Sequence, residues 1–156
     1  LSGANQAETL LRAMAIKIDG EMLFDTVQAT FNLMEPSIGP TLYQAHQQGM
    51  GVIIKEAVAN GRLTSANHRP EDAKKRALLD DEAERLGTTI DALALAAILA
   101  QPWVDVVLSG AATVEHLRSN VLAFEVPWSE AVAERLVQLA ESPEVYWQTR
   151  SGLAWN

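Results

Sequence analysis

The sequence predicts an α/β fold in which parallel strands are flanked by helices. Helical and extended segments alternate along the chain, the links between them are short, and one extended segment is almost purely apolar. Alternating elements with short links favour a parallel sheet covered by helices. An apolar run is typical of a strand that is buried on both faces. With 156 residues, the chain is long enough for one domain with a core of its own.

The predicted order of elements is α-β-α-β-α-α-β-α-α. We expect helices over residues 5–18, 41–48, 71–86, 88–100 and 113–123 and from residue 129, and strands over residues 24–32, 51–54 and 104–108. Residues 1–156 form a single partial domain, in which an irregular aromatic tail begins at about residue 143. A closed (β/α)₈ barrel needs about 250 residues. The chain is therefore close to half of such a barrel.

Periodicity and turn residues justify these elements. The first helix carries Leu10 and Met14 on one face, four residues apart. The first strand alternates apolar with polar residues, beginning with Val27 and Gln28. Gly49 and Gly87 end helices, as glycine does when the chain must turn out of a helix. Hydroxyl side chains can cap the later helices: Thr88 or Thr89, Thr113 and Ser129.

Composition excludes several classes of function. A net charge of −8 argues against a nucleic-acid partner, which needs a basic surface. The chain has no cysteine, which excludes disulfides and thiolate chemistry and fits the cytoplasm, where we expect the protein. No apolar run reaches the roughly 18 residues of a membrane helix, so no membrane partner is expected. The three histidines lack paired metal-ligand spacing, so no metal site is expected.

Candidate site residues follow the carboxyl ends of the predicted strands, where ligands bind in parallel α/β folds. Gln28 lies on the first strand, Lys55 and Glu56 follow the second, and the turn of residues 109–113 follows the third. This turn contains Gly110 and leads into a helix, an arrangement that favours phosphate. Taken alone the signal is weak, because glycine before a capped helix is common.

Each candidate also has a purely structural interpretation. Gln28 can bond within the sheet, Lys55 and Glu56 can be a surface pair, and Arg62 can be a solvated loop residue. Asn120 can stabilise its own helix. The acidic residues of segment 80–84 are interpreted as a solvated helix face. The tail aromatics Tyr146, Trp147 and Trp155 either line a substrate pocket or pack against the outside of the barrel.

Three segments in this order resemble the aldo-keto reductase family. FDTVQATFNLMEP at residues 24–36 is similar to the family's sixth strand, and GVIIKEAVANGRLT at residues 51–64 to its seventh strand and loop. VVLSGA at residues 106–111, with the helix that follows, resembles the eighth strand and the helix that grips the adenosine end. The resemblance covers nearly the whole chain and implies the C-terminal half of a (β/α)₈ TIM barrel.

The resemblance implies a cofactor site for NADP(H), or alternatively NAD(H), and a small carbonyl substrate reduced by hydride transfer. It places Gln28 at the nicotinamide carboxamide and Asn120 at the adenine. The cofactor-binding residues that it implies are Gln28, Lys55, Gly61, Arg62, Gly110, Ala111, Thr113, His116 and Asn120. The family's catalytic Asp, Tyr, Lys and His lie on the first four strands, which nothing here matches, so no catalytic residue is assigned.

Two positions depart from the family pattern. Lys55 stands where an aromatic residue often stacks on the nicotinamide. The position that often carries a basic residue for the 2′-phosphate of NADP is filled by Ala112, Thr113 or His116, which puts the preference for NADP over NAD in doubt.

Three functional hypotheses remain. The leading one is an oxidoreductase portion that needs its missing N-terminal half for catalysis and is inactive alone. The second is a stand-alone half-barrel that pairs with itself or with another chain through its open sheet edges and acts by binding. The third is an inert fragment of a longer chain.

Overall fold

A computed structural model describes residues 1–153, which form a parallel three-stranded sheet with helices around it. Trp155 lies outside the described residues. The elements in chain order are α1 (Gln6–Met14), β1 (Lys17–Ile18), β2 (Glu21–Met22), β3 (Thr26–Thr30), α2 (Gly39–Gln47), β4 (Gly51–Lys55), α3 (Ala73–Leu86), α4 (Ile90–Leu99), β5 (Val106–Val107), α5 (Val114–Val121), α6 (Glu130–Leu136) and α7 (Pro143–Ser151). Single 3₁₀ turns occur at Ala59–Gly61, Pro70–Asp72, Leu122–Phe124 and Val137–Leu139. None of the helices in this part of the chain is long and apolar enough to cross a membrane.

The sheet has the order β3-β4-β5, with all neighbours parallel. Gln28 lies opposite Ile53, and Ile53 lies opposite Val106. Because side chains alternate across a strand, these three residues share one face. The other face carries Val52 and Ile54, which are fully buried against the helices. The prediction of a parallel sheet flanked by helices is therefore confirmed.

Helix α4 joins two apolar cores. Its residues from Ala92 to Ile98 are all buried. Leu95 and Ile98 pack into a core with the sheet, α1 and α2, whereas Leu93 packs into a second core with α3, α6 and α7. An almost wholly apolar helix is expected where both sides are covered. The helix therefore holds the sheet and the C-terminal helices in one body.

The predicted end of the first helix was wrong. Helix α1 ends at Met14, and residues 17–22 form a small antiparallel hairpin in place of the last helical turn. Asp19 and Gly20 both have positive φ, 53° and 89°, as the tight turns of two-residue hairpins require. The Asp-Gly pair is a strong hairpin signal that outweighs the apolar spacing of Ile18.

Two predictions near the C-terminus were also wrong. Strand β5 is shorter than the predicted 104–108 and is not covered on both faces, since Val106 is 46% exposed at the sheet edge. The first part of the tail, Pro143–Ser151, is helical and not irregular. The Ser142 hydroxyl accepts a bond from the backbone N–H of Val145, and proline is favourable in the first turn of a helix.

Capping at the other helices agrees with the predictions. Gly87 ends α3 with a left-handed φ of 64°. The side chains of Thr89, Thr113 and Ser129 accept bonds from the first turns of α4, α5 and α6. These three helices therefore begin at the residues that the sequence predicts.

Candidate functional site

A half-open cleft of about 930 Å³ lies beyond the carboxyl ends of β4 and β5. The loop after β4 and the turn after β5 form opposite walls, and the C-terminal part of α3 and the first turns of α4 and α5 complete it. The two loops contribute residues 56–58, 60, 61, 64–66 and 108–112, and the helical side contributes Asp80, Ala83, Glu84, Thr88, Thr89, Ile90, Asp91, Glu115, His116, Ser119 and Asn120. Its volume is in the range of sites that hold small molecules and cofactors.

The loop after β4 has an unusual backbone. Glu56, Ala59 and Asn60 have φ of 54°, 50° and 52°, and Gly61 has a φ of 86°. The first three are side-chain-bearing residues in the left-handed region, which costs roughly 1 kcal/mol or more at each position. Buried Leu63 and the bond from the Ala59 N–H to the Glu56 carbonyl (2.8 Å) help to hold the loop. The surrounding contacts therefore fix this wall in a strained conformation.

Arg62 holds the base of the same loop. Its guanidinium donates to both carboxylate oxygens of Asp72 (2.6 and 3.0 Å) and to both of Glu141 (2.7 and 2.9 Å). Only 4% of the residue is exposed. Burial opposes the charge on Arg62, but the bonds to Asp72 and Glu141 outweigh it and raise the pKa of the guanidinium above its usual value.

The interpretation of Arg62 as a solvated loop residue is therefore wrong. Arg62 also does not line the cleft, and both neighbouring carboxylates engage its charge. The structure gives it a role in fixing the loop, through Glu141, to the segment that connects α6 with α7. It does not place the guanidinium where it would meet a ligand phosphate.

Helix α7 reaches the floor of the cleft through Glu56. Arg150 donates to both carboxylate oxygens of Glu56, with 2.9 Å from Nη2 to Oε1 and 3.1 Å from Nε to Oε2. The amide of Asn32 donates to the backbone carbonyl of Glu56 and to the Tyr146 hydroxyl, each at 3.0 Å. Burial raises the pKa of the Tyr146 phenol. The interpretation of the tail aromatics as pocket residues does not hold for Tyr146. This side chain packs in the core and does not line the cleft.

The turn after β5 forms the opposite wall. Gly110 has a φ of 64°, and the Ser109 hydroxyl accepts a bond of 3.2 Å from the Ala111 N–H. The Asn120 amide donates to the Ser109 carbonyl at 3.0 Å, which ties the turn back to α5. Thr113 accepts from the backbone of His116 at 3.1 Å. Asn120 therefore lines the cleft and stabilises the turn after β5, whereas its interpretation as a residue that stabilises its own helix is not supported by this bond.

The structure brings together five of the nine predicted cofactor residues. Gly61, Gly110, Ala111, His116 and Asn120 line the cleft. Thr113 lies at its margin as the cap of α5. Gln28 and Lys55 lie on the more open face of the sheet, where Gln28 is exposed and the Lys55 ammonium donates to the Ser2 hydroxyl at 2.6 Å.

The prediction of a solvated acidic face on α3 holds for Asp80, Asp81 and Glu84, which are exposed, and is wrong for Glu82. Glu82 is fully buried, where it pairs with Arg85 and with Arg135 (2.7 Å to the latter). The bond from Arg85 lowers the pKa of Glu82 although burial opposes it. Asp80 and Glu84, four residues apart, line the cleft. Their spacing shows that they share a face, but only the fold shows what that face meets.

Sequence reasoning also missed Arg150 as a residue of the site. No local pattern marks Arg150, because its partner Glu56 is 94 residues away in the chain. The helical signal of Ser142 and Pro143 was the only indication that this segment forms an ordered element.

Comparison with known proteins shows which family and which solved structures the chain is similar to. The family model of the Aldo/keto reductase family matches residues 1–141. A search of curated proteins finds no significant match. Among solved structures, a thermostable aldo-keto reductase in complex with the inhibitor epalrestat is similar, with 27% identity and a TM-score of 0.59 over 73% of this chain and 39% of its own.

An aldo-keto reductase from Bacillus halodurans in its holo form is similar over 91% of this chain and 48% of its own, with 20% identity and a TM-score of 0.63. Its apo form matches over 49% of its length, with 21% identity and the same TM-score. The chain thus spans less than half the length of these structures, whose fold it shares.

Proposed function

The chain belongs to the aldo/keto reductase family, and on that premise we propose that it supplies the dinucleotide-binding portion of a carbonyl-reducing oxidoreductase. The observation that carries the proposal is the cleft between the loop after β4 and the turn after β5. It combines a volume of about 930 Å³ with two glycine-containing loops that approach from opposite walls.

The residues of the cleft fit a nicotinamide dinucleotide. A Cβ atom added at Gly61 or Gly110 would meet nothing within 4 Å, so the space in front of these backbones is open. Gly110 lies in the turn just before Thr113, the cap of α5, and a glycine turn that leads into a helix start suits a phosphate. Asn120 and His116 offer polar contacts to the adenosine part. When bound, the dinucleotide supplies the hydride that reduces the carbonyl.

We assign Gln28 and Lys55 to the nicotinamide end of the same site. Both lie on the more open face of the sheet, two register positions apart, since Gln28 is opposite Ile53 and Lys55 is opposite Thr30. An amide matches the donor and acceptor pattern of the carboxamide on the nicotinamide ring. Arg62 is assigned a positioning role only, through its hold on the loop that contains Gly61.

The proposal assigns no catalytic residue to these 156 residues. The proton donor for the carbonyl oxygen would come from a complementary part of the barrel, either in a longer parent chain or in a second chain. In this view the more open face of the sheet is the interior of a barrel of which this chain supplies the C-terminal half. The 156-residue chain by itself is then inactive.

Calorimetric titration of NADH and NADPH into the purified chain tests the proposal. Saturable binding that weakens in Gln28→Ala supports it, and absence of binding at millimolar ligand rejects it in favour of a binding module or an inert fragment. Turnover of a carbonyl substrate by the verified 156-residue chain would contradict the assignment of catalysis to a complementary part.

A second candidate function is a self-associating half-barrel. In the described residues, β3 and β5 each pair on one side only, and Val106 and Leu108 at the β5 edge are exposed. Unpaired strand edges are templates for pairing with another chain. Size-exclusion chromatography with light scattering distinguishes the two, because a stable dimer supports the assembly module and a monomer that binds dinucleotide supports the first proposal.

A further inference from the structure

The lining of the cleft is acidic. Five of its residues carry carboxylates, Glu56, Asp80, Glu84, Asp91 and Glu115. Among the lining residues that the structure describes, none is lysine or arginine, and His116 is the one side chain able to take a positive charge. A bound anion therefore depends on backbone groups for attraction and meets side chains of its own sign.

Cations outside the cleft neutralise only part of this charge. Arg150 pairs with Glu56 at 2.9 Å, and Arg76 approaches Asp80 at 3.7 Å. For Glu84, Asp91 and Glu115, residues 1–153 provide no ion-pair partner within 4.0 Å. These three carboxylates therefore determine the charge that a ligand meets on the helical side.

Two helix starts border the cleft, and each already carries an acidic residue in its first turn. Asp91 lies in the first turn of α4, and Glu115 lies in the first turn of α5. A bond of 3.0 Å between the hydroxyls of Thr89 and Ser119 holds the two helices together at this point. Carboxylates in the first turn offset the partial positive charge of a helix start. The helix starts on this side of the cleft therefore attract a phosphate group only weakly.

We propose that the cleft takes NAD(H) in preference to NADP(H), an inference that rests on the proposed dinucleotide site. The two cofactors differ by one phosphate on the 2′-oxygen of the adenosine ribose. A carboxylate accepts a hydrogen bond from a free 2′-hydroxyl, whereas a 2′-phosphate requires a cation. The acidic residues on the helical side therefore favour the free 2′-hydroxyl of NAD(H) and repel the 2′-phosphate of NADP(H). This replaces the preference for NADP(H) that the family resemblance implied.

Paired titrations of NADH and NADPH into the 156-residue chain at low ionic strength test the inference. We expect NADH to bind roughly tenfold more tightly or better, because a doubly charged phosphate adds repulsion from each nearby carboxylate. The difference should shrink as salt is added, since salt screens exposed charges. Equal affinities, or tighter binding of NADPH, would overturn the inference while leaving the proposed function intact. If neither cofactor binds, the proposed function itself fails.

Glu115→Lys provides the sharper test. It places a cation in the first turn of α5 and should shift the affinity ratio toward NADPH by roughly tenfold. Glu130→Lys is the matched control, because Glu130 occupies the first turn of α6 behind the Ser129 cap and does not line the cleft. Glu115→Gln, which removes charge with little change of shape, should shift the ratio in the same direction by less. An unchanged ratio in both folded Glu115 variants would refute the role of this carboxylate.

Discussion

Arg150 in the last helix grips Glu56 at the end of the central strand, with two parallel hydrogen bonds of 2.9 and 3.1 Å across 94 positions of sequence. Glu56 is in a left-handed conformation and begins the loop that lines one wall of the cleft. The side chain of Arg150 is 8% exposed and that of Glu56 is 17% exposed. This pair therefore links the C-terminal helix to the shape of the candidate site.

Arg150→Ala should lower the free energy of unfolding by about 1–3 kcal/mol, because it leaves the Glu56 carboxylate largely buried without its charged partner. Urea denaturation followed by circular dichroism measures the change. Arg12→Ala removes the same side chain from an exposed position in α1 and should change stability by less than about 0.5 kcal/mol. Equal losses in the two variants would show that the Glu56 contact adds nothing.

Gly61→Ala should cost about 1 kcal/mol of stability and also weaken dinucleotide binding. The φ of Gly61 is 86°, a region in which a Cβ is strained, and the residue lines the cleft. Gly49→Ala is the matched control, since Gly49 has a φ of 89°, open space around its Cβ position and no place in the cleft. We expect similar losses in thermal unfolding for both variants but weaker binding only for Gly61→Ala. Weaker binding in both would trace the effect to general destabilisation.

Acid should weaken the anchor around Arg62. Burial acts to raise the pKa of Asp72 and of Glu141, but the bonds and charge of Arg62 outweigh it, and both pKa values lie below their usual values. The resulting stability is present above the unfolded-state pKa values, 3.8 and 4.5. It is lost as pH falls through the lower folded-state values. Denaturant titrations at a series of pH values should show this fall, and Asp72→Asn should make it shallower. A fall of the same steepness in Asp72→Asn would exclude Asp72 as a source of the pH dependence.

Glu35 should show the opposite pH dependence. It is fully buried, and burial raises the pKa of its carboxyl group although Ser37 and Gln6 donate hydrogen bonds to it. Because the folded-state pKa is raised, ionisation favours the unfolded chain, and stability is lost as pH rises above the usual value of 4.5. Glu35→Gln should therefore gain stability relative to the parent at pH 7, on the order of 1 kcal/mol, with little gain at pH 4. The same difference at both pH values would contradict this assignment.

Local patterns were enough to predict much of the fold. The strand that contains Gln28, the glycine that ends α3 and the threonines that cap α4 and α5 depend on residues close together in the chain. Such signals are readable because the backbone bonds that they satisfy are local. The hairpin at Asp19 and Gly20 was readable in the same way and was overlooked. The strand β5 was overestimated because apolar content does not reveal which strand lies at a sheet edge.

The sequence alone determined the α/β class, the order of the main elements and the residues of two loops that face the cleft, since all of these follow from local periodicity and turn chemistry. Only the tertiary structure decided the partners of charged groups. In the structure Arg62 is buried and paired, although it was interpreted as a solvated residue. Arg150 contacts Glu56. Glu84, Asp91 and Glu115 line one cleft. The reason is physical: the energy of a charge depends on its burial and its neighbours, and these come from segments that are distant in sequence.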